Sequence, residues 1–180
     1  MGCEATGRAR LGCFRVAQQT ASYQWQCDAT LLFGIDHAAC EDVTVLTTTE
    51  IFASGELHDL CLRERYLRGY IPKTRSFVVL RNGVEAGLLI YEHGEASEGY
   101  IYEIFVLPEA RSGGVGAWVL AQAERIASEL GCTSVKLTAR SLDREQCTDE
   151  ALIAWYERKG FVRCDPDSSD LTKSLSHPFE

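Results

Sequence analysis

What the chain lacks narrows its function first. Its eight cysteines, at positions 3, 13, 27, 40, 61, 132, 147 and 164, include no Cys-x-x-Cys pair and scatter over predicted helices, strands and loops alike. That is neither a zinc pattern nor the framework of a small secreted domain, so the expectation is reduced thiols in a cytoplasmic protein. The four histidines, His37, His58, His93 and His177, show no ligand spacing, and no metal site is expected. No apolar run approaches the ~20 residues that span a bilayer, and the N-terminus carries no hydrophobic stretch of the signal-peptide kind. The opening Met1-Gly2-Cys3-Glu4-Ala5-Thr6 does meet the N-myristoylation pattern, with Cys3 as a second acylation position. So short a pattern is often met by chance, and no membrane partner is expected. Positive charge is scarce as well: 18 lysines and arginines against 26 acidic residues leave a net charge of −8. With no surplus to neutralise phosphates, non-specific nucleic-acid binding is not expected, and a cationic or amine substrate fits better.

What is present suffices for one domain with a real core: 180 residues, 46% apolar and 24% charged. Residues 1–42 have no clear period beyond a strand-like ATLLFGI, and read as an N-terminal extension ahead of a domain over 43–180. VTVLTT (43–48) reads as a strand. TTEIFASGELHDLCLRERYL reads as a helix capped by Thr48 or Thr49, with Ile51, Leu57, Leu60, Cys61 and Leu67 as its buried stripe. Asn82-Gly83 between two apolar runs predicts a hairpin of strands near 76–81 and 84–92, followed by a third antiparallel strand at 99–107. Val115, Val119, Ala123, Ile126 and Leu130 recur at helical spacing, with Gly131 as the stop. TSVKLTA (133–139) is a strand, DEALIAWYERKG a helix ended by Gly160, and FVRCD and LTKSLS are two closing strands. The predicted order, β-α-β-β-β-α-β-α-β-β, is an α+β fold with a mixed, mostly antiparallel sheet flanked by helices.

The most informative stretch lies between the strand at 99–107 and the helix after it: Arg111-Ser112-Gly113-Gly114-Val115-Gly116. A helix N-terminus carries unpaired N–H groups and partial positive charge, which makes it an anion site, and glycines let a phosphate approach the backbone closely. No Gly-Lys-Ser/Thr follows, so this is not a Walker loop, nor is it G-x-G-x-x-G. The run Val106-x-Pro108-x-x-Arg111-x-x-Gly114-x-Gly116 resembles the coenzyme A pyrophosphate loop of the GNAT superfamily of N-acetyltransferases. A second motif agrees: Leu152-x-x-x-Tyr156-x-x-x-Gly160-Phe161 is similar to the family's late helix, with Leu152 in the place of its alanine. The element order fits from residue 43 onward, about three quarters of the chain. The N-terminal extension, the long link before the Tyr156 helix, and Asp149 where many members have Asn depart from the pattern. Asp149 either caps the helix or replaces a contact to the pantetheine arm.

The resemblance implies acetyl-CoA as co-substrate and direct acetyl transfer to an amine acceptor, a small molecule or a protein. It implies pantetheine beside the backbone of Ile104, Phe105 and Val106, and pyrophosphate on the amides of Ser112, Gly113, Gly114, Val115, Gly116 and Ala117, helped by Arg111. Tyr156 takes the place of the acid that protonates the leaving thiolate, and a phenol near ~10 is protonated at neutral pH. Glu103, on the strand before the loop, is the expected base; strict alternation puts it on one face with Ile101 and Phe105. Glu92 and His93 are the alternatives, and Trp155 reads as core. The acidic residues Glu92, Glu95, Glu98, Asp143, Glu145, Asp149 and Glu150 flank the expected acceptor end, as a lure for a polyamine, an aminoglycoside or a lysine side chain, or as solvated loops. Two rivals remain: a toxin-like member acting on aminoacyl-tRNA through Arg63, Arg65, Arg68, Lys73 and Arg75, and a non-catalytic acyl-CoA sensor. A homodimer is compatible with the resemblance.

Overall fold

Among the described residues, seven strands make one sheet: β1 (Leu46–Ile51), β2 (Thr74–Arg81), β3 (Val84–His93), β4 (Glu98–Val106), β5 (Ser134–Thr138), β6 (Val162–Arg163) and β7 (Asp170–Ser174). Their spatial order is β1-β2-β3-β4-β5-β7-β6, antiparallel throughout except for β4 and β5. The helices α1 (Leu60–Gly69), α2 (Val115–Glu129) and α3 (Asp149–Arg158) cover it. The structure is a computed structural model that describes residues 44–94, 97–111 and 113–175. The expected extension lies outside the described residues, with its MGCEAT start, its ATLLFGI run, Cys3, Cys13, Cys27, His37 and Cys40. So do Val43, Glu95, Ser112 and His177.

Both faces of the sheet are buried, which explains the unbroken apolar run of β3, where Ala86 through Tyr91 are all inside. Phe77, Val79, Leu89, Tyr91 and Ile101 join α2 and α3 in one core. Val78, Leu88, Ile90 and Phe105 join α1 in the other. The hairpin forms as expected: Asn82 (φ 52°) and Gly83 (φ 80°) both adopt the left-handed conformation that a tight two-residue turn requires. Asn82 also fastens β1, since its Oδ1 accepts from Val45 N and its own N–H donates to Val45 O, both at 2.8 Å.

Two bulges break the simple alternation. Val79 faces Gly87 while Leu80 faces Glu85, so Ala86 is an extra residue in β3. Ile90 faces Glu103 while Tyr91 faces Ile101, so Tyr102 is an extra residue in β4. This corrects the expected grouping of Glu103 with Ile101. An extra residue reverses the side-chain parity beyond it, so Ile101 faces the core under α2 while Phe105 faces the core under α1.

The helix expected over 48–67 also needs correction. Thr47, Thr48, Thr49 and Ile51 are β-branched and extend β1, so neither threonine is a cap. A short 3-10 turn at Ser54–Glu56 follows, and α1 begins only at Leu60. Its cap is Asp59, whose Oδ1 accepts from Leu62 N at 2.9 Å. Glu85 of β3 holds the entry by accepting from His58 N (2.8 Å) and Asp59 N (2.7 Å). The buried face of α1 is Leu62, Tyr66 and Gly69, whereas Leu60, Cys61 and Leu67 are exposed. Ile51 and Leu57 are buried, but from the strand and from the loop. In α2 the expected stripe holds except at Leu130, which caps the helix and is partly exposed, while Leu120 and Ala127 complete the buried face. FVRCD contributes only the two-residue β6.

Close packing of β3 on β4 is checked at Gly87. A Cβ there would lie 2.4 Å from Phe105 O, a backbone atom that cannot swing aside. Gly87→Ala is expected to cost at least about 2 kcal/mol by denaturant unfolding. A cost below about 0.5 kcal/mol would show that the two strands are not held this tightly.

Candidate active site

The sheet opens between its two parallel strands. β4 pairs with β5 only from Glu98 to Ile101, opposite Ser134 to Leu137. Beyond the Tyr102 bulge, residues 102–106 have β3 on one side and no strand on the other. Backbone N–H and C=O groups need partners, so this edge is a place where an extended ligand can pair. A cleft of about 780 Å³ lies along it, lined among others by Glu103, Ile104, Phe105, Val106, Arg111 and Tyr156.

The edge runs straight into the helix N-terminus singled out in the sequence. Gly113 (φ 75°) and Gly114 (φ 77°) take the left-handed turn, and Gly114 caps α2 without a side-chain bond. The N–H groups of Val115, Gly116 and Ala117 precede the first intrahelical bond, Trp118 N to Gly114 O at 3.0 Å, and have no acceptor one turn back within the helix. A Cβ at Gly114 or Gly116 would meet nothing within 4 Å, so the approach is open. Arg111 stands beside it, donating from Nε to Val106 O (3.2 Å) and from a terminal nitrogen to Asp143 Oδ2 (2.6 Å). These groups could hold a pyrophosphate.

Tyr156 enters the cleft from α3, only 8% exposed and packed edge-on against Trp155 and Phe161. The cap of α3 is Thr148, whose Oγ1 accepts from Ala151 N at 3.2 Å, and not Asp149 as the sequence suggested. Asp149 instead accepts from Ser141 N (2.6 Å) and pairs with Arg144 (3.1 Å), which fastens the long link between β5 and α3.

Glu103 reaches the cleft on the α1 face. Its Oε1 accepts from Arg65 at 3.0 Å, and its Oε2 has no partner among the described residues. The Arg65 guanidinium also stacks 3.8 Å over the Phe105 ring. Neither alternative base lines this cleft: Glu92 borders a separate cavity of about 270 Å³ with Glu98 and Lys136, and His93 Nδ1 lies 3.5 Å from Cys132 Sγ. The sequence missed Arg65, Arg68 and Arg140 as cleft residues, although helical spacing of RERYLRG sets the first two on one side of α1. The basic stretch does not act as one unit: Arg63 donates to Leu57 O, Arg65 to Glu103, Arg68 to Glu64 and Arg75 to Glu50, and only Arg65 and Arg68 line the cleft. Among the described residues there is no cluster of three side chains fit for a metal, and no helix long and apolar enough to cross a membrane.

A mixed seven-stranded sheet with this opening, flanked by helices, is the acyl-CoA N-acyltransferase fold. The model of the acetyltransferase (GNAT) family matches residues 39–161, and the chain belongs to that family. Similar solved structures include the ribosomal-protein-S18-alanine N-acetyltransferase of Escherichia coli, at 16% identity and a TM-score of 0.55, covering 76% of this chain and 97% of the other. The IAA acetyltransferase of Bacillus cereus matches at 16% identity and a TM-score of 0.53, covering 73% and 100%. A GNAT family acetyltransferase of Elizabethkingia anophelis with acetyl-CoA bound matches at 16% identity and a TM-score of 0.52, covering 72% and 98%. Likenesses at this identity show the fold alone. Among curated proteins, none matches the sequence.

Burial pushes the Tyr156 phenol up to about 12. The folded protein therefore keeps this proton where the unfolded chain, with a phenol near ~10, releases it. The stability this group contributes is whole below about pH 10 and is lost as the pH rises toward about 12. Burial raises Tyr66 and Tyr91 in the same direction. In unfolding titrations between about pH 9 and 12, Tyr156→Phe is thus expected to flatten part of the alkaline loss of stability. Identical slopes for the two proteins would mean that Tyr156 is not buried in this way.

Proposed function

We propose that this protein is a cytoplasmic, acetyl-CoA-dependent N-acetyltransferase that moves an acetyl group directly to a primary amine, with residues 43–180 as its catalytic domain. One observation carries the reading: the unpaired edge of β4 leads into the glycine-rich N-terminus of α2, with Tyr156 in the same cleft. The acetyl-CoA-bound neighbour and the four free cysteines of the described residues, Cys61, Cys132, Cys147 and Cys164, accord with it.

Acetyl-CoA supplies an acetyl group activated as a thioester, whose C–S bond breaks as the C–N bond of the product forms. The backbone of Ile104, Phe105 and Val106 pairs with the pantetheine arm. The amides from Gly113 to Ala117, with Ser112 and Arg111, hold the pyrophosphate at the positive end of α2. Glu103 takes the proton of the amine on Oε2, directly or through water. Tyr156 donates a proton to the departing sulfur, and its exclusion from water keeps it protonated until that moment. Proton lost and proton gained balance, and solvent resets both side chains. Asp149 fixes the loop by accepting from Ser141 N and Arg144, and its remaining lone pairs can still accept from the pantetheine arm.

Calorimetry with acetyl-CoA tests the cradle. Wild type is expected to bind with a Kd on the order of micromolar, and Gly116→Glu at least roughly tenfold more weakly, because a carboxylate would stand in the first turn beside the phosphates. The substitution suits a helix and should not harm folding. Equal affinity in both proteins would remove the cradle. Once an acceptor is found, Tyr156→Phe should lower kcat by about 10²-fold with little change in KM for acetyl-CoA. Unchanged turnover would show that Tyr156 is not the acid.

A further inference from the structure

The charges along the cleft run against those of the chain. The chain carries a net −8, yet the ionic residues lining the cleft are Arg65, Arg68, Arg111 and Arg140 against only Glu103 and Asp143. Both carboxylates are already engaged, Glu103 by Arg65 and Asp143 by Arg111. Arg140 has no ion pair among the described residues, and Arg68 has only Glu64, one turn back on its own helix, with both side chains largely exposed. Such a pair holds its arginine weakly. Among the described residues, the other acidic candidates do not line this cleft: Glu92 and Glu98 border the smaller cavity, and Asp149 is tied to Ser141 and Arg144.

Arg65 is the most telling of these groups. Its side chain is 18% exposed, yet among the described residues only one of its five N–H bonds is used, from Nη1 toward Glu103; Nη2 has no partner among them, while the buried Nε, also without one, lies out of a ligand's reach. Unmet donors in an enclosed place are costly unless a ligand meets them. Arg68 lies three residues further on, on the same side of the helix. Two guanidiniums in that relation match a carboxylate, which accepts paired N–H bonds. The donor's phosphates do not account for them, because α2 packs on the opposite face of the sheet from α1.

We propose that the acceptor is an amino acid: an amine that also carries a carboxylate, with the carboxylate held by Arg65 and Arg68 and the amine turned toward Glu103. The guanidinium of Arg65 sits between the two carboxylates and keeps them apart by its own width, so an amine on a short spacer comes within reach of Oε2. The inference rests on the acetyltransferase reading and selects among its acceptors, against polyamines and aminoglycosides.

The test measures release of free CoA thiol by the full chain with acetyl-CoA and the common L-amino acids, their carboxamides, spermidine and kanamycin. Acetyl-CoA binding is measured separately by calorimetry. At least one amino acid is expected to be turned over with kcat/KM at least roughly tenfold above that of its carboxamide. Arg68→Gln should bring that ratio toward one, and its titration with acetyl-CoA reports that it is folded. Preference for a carboxamide or a polycation, no turnover of any amino acid by a protein that binds acetyl-CoA, or an unchanged ratio in Arg68→Gln would each overturn the proposal. Failure to bind acetyl-CoA would instead overturn the acetyltransferase reading, and this proposal with it.

Discussion

The parting of β4 from β5 is the constraint on which the rest of the molecule turns. Two parallel strands that stayed paired to their ends would satisfy one another and leave no room between them. Here they separate after four residue pairs, at the point where Tyr102 is inserted into β4. A bulge bends its strand and increases the local twist, so the insertion and the separation form one event. Backbone groups from 102 to 106 are left facing a cleft instead of a neighbour. Their need for partners, which water or a ligand can meet, makes that cleft a candidate binding site.

The same insertion distributes the side chains. Upstream of it, Ile101 belongs to the core beneath α2 and α3; downstream, Glu103 and Phe105 turn toward α1. The cleft thereby acquires two unlike ends on opposite faces of the sheet. One lies at Val106 and Arg111, from which the chain runs on into the glycine-rich start of α2. The other is a side-chain-rich pocket wall made by Arg65, Arg68 and Glu103. Tyr156, carried in by α3, belongs to the first core and still borders the shared opening. Two ligands can then be recognised by different chemistry, meeting where the strands diverge.

How much of this the sequence disclosed depended on whether the determining forces were local. The Asn82-Gly83 turn, the stop at Gly131 and the glycine entry to α2 are local conformational demands, and all were legible. The family motifs around Arg111 and Tyr156 pointed to one cleft, and both residues line it. The start of α1 was misplaced because Thr48 and Thr49 resemble a cap, while their β-branched run pairs with β2, a partner far along the chain. Asp59, the true cap, is selected partly by Glu85 on another strand. The bulge at Tyr102 was invisible for the same reason: alternation along YIYEIFV looks regular, and only the register against β3 shows the extra residue. Arg65 and Arg68 read as part of a basic stretch until the fold separated them from Arg63 and Arg75 and gave each a different partner.

The contact between Arg111 and Asp143 has a consequence for competition. The pair is short, 2.6 Å, and about two thirds buried, so salt screens it less than an exposed pair and the guanidinium already has a counter-ion. Asp143 acts as a resident counter-ion, carried by the protein at a high effective concentration. A stray chloride or phosphate from solution must displace it with a single contact and gains little by doing so. A diphosphate that also spans the amides of α2 replaces one contact with several. In the proposed reading, the loop between β5 and α3 would thus favour a ligand that makes several contacts over a simple anion.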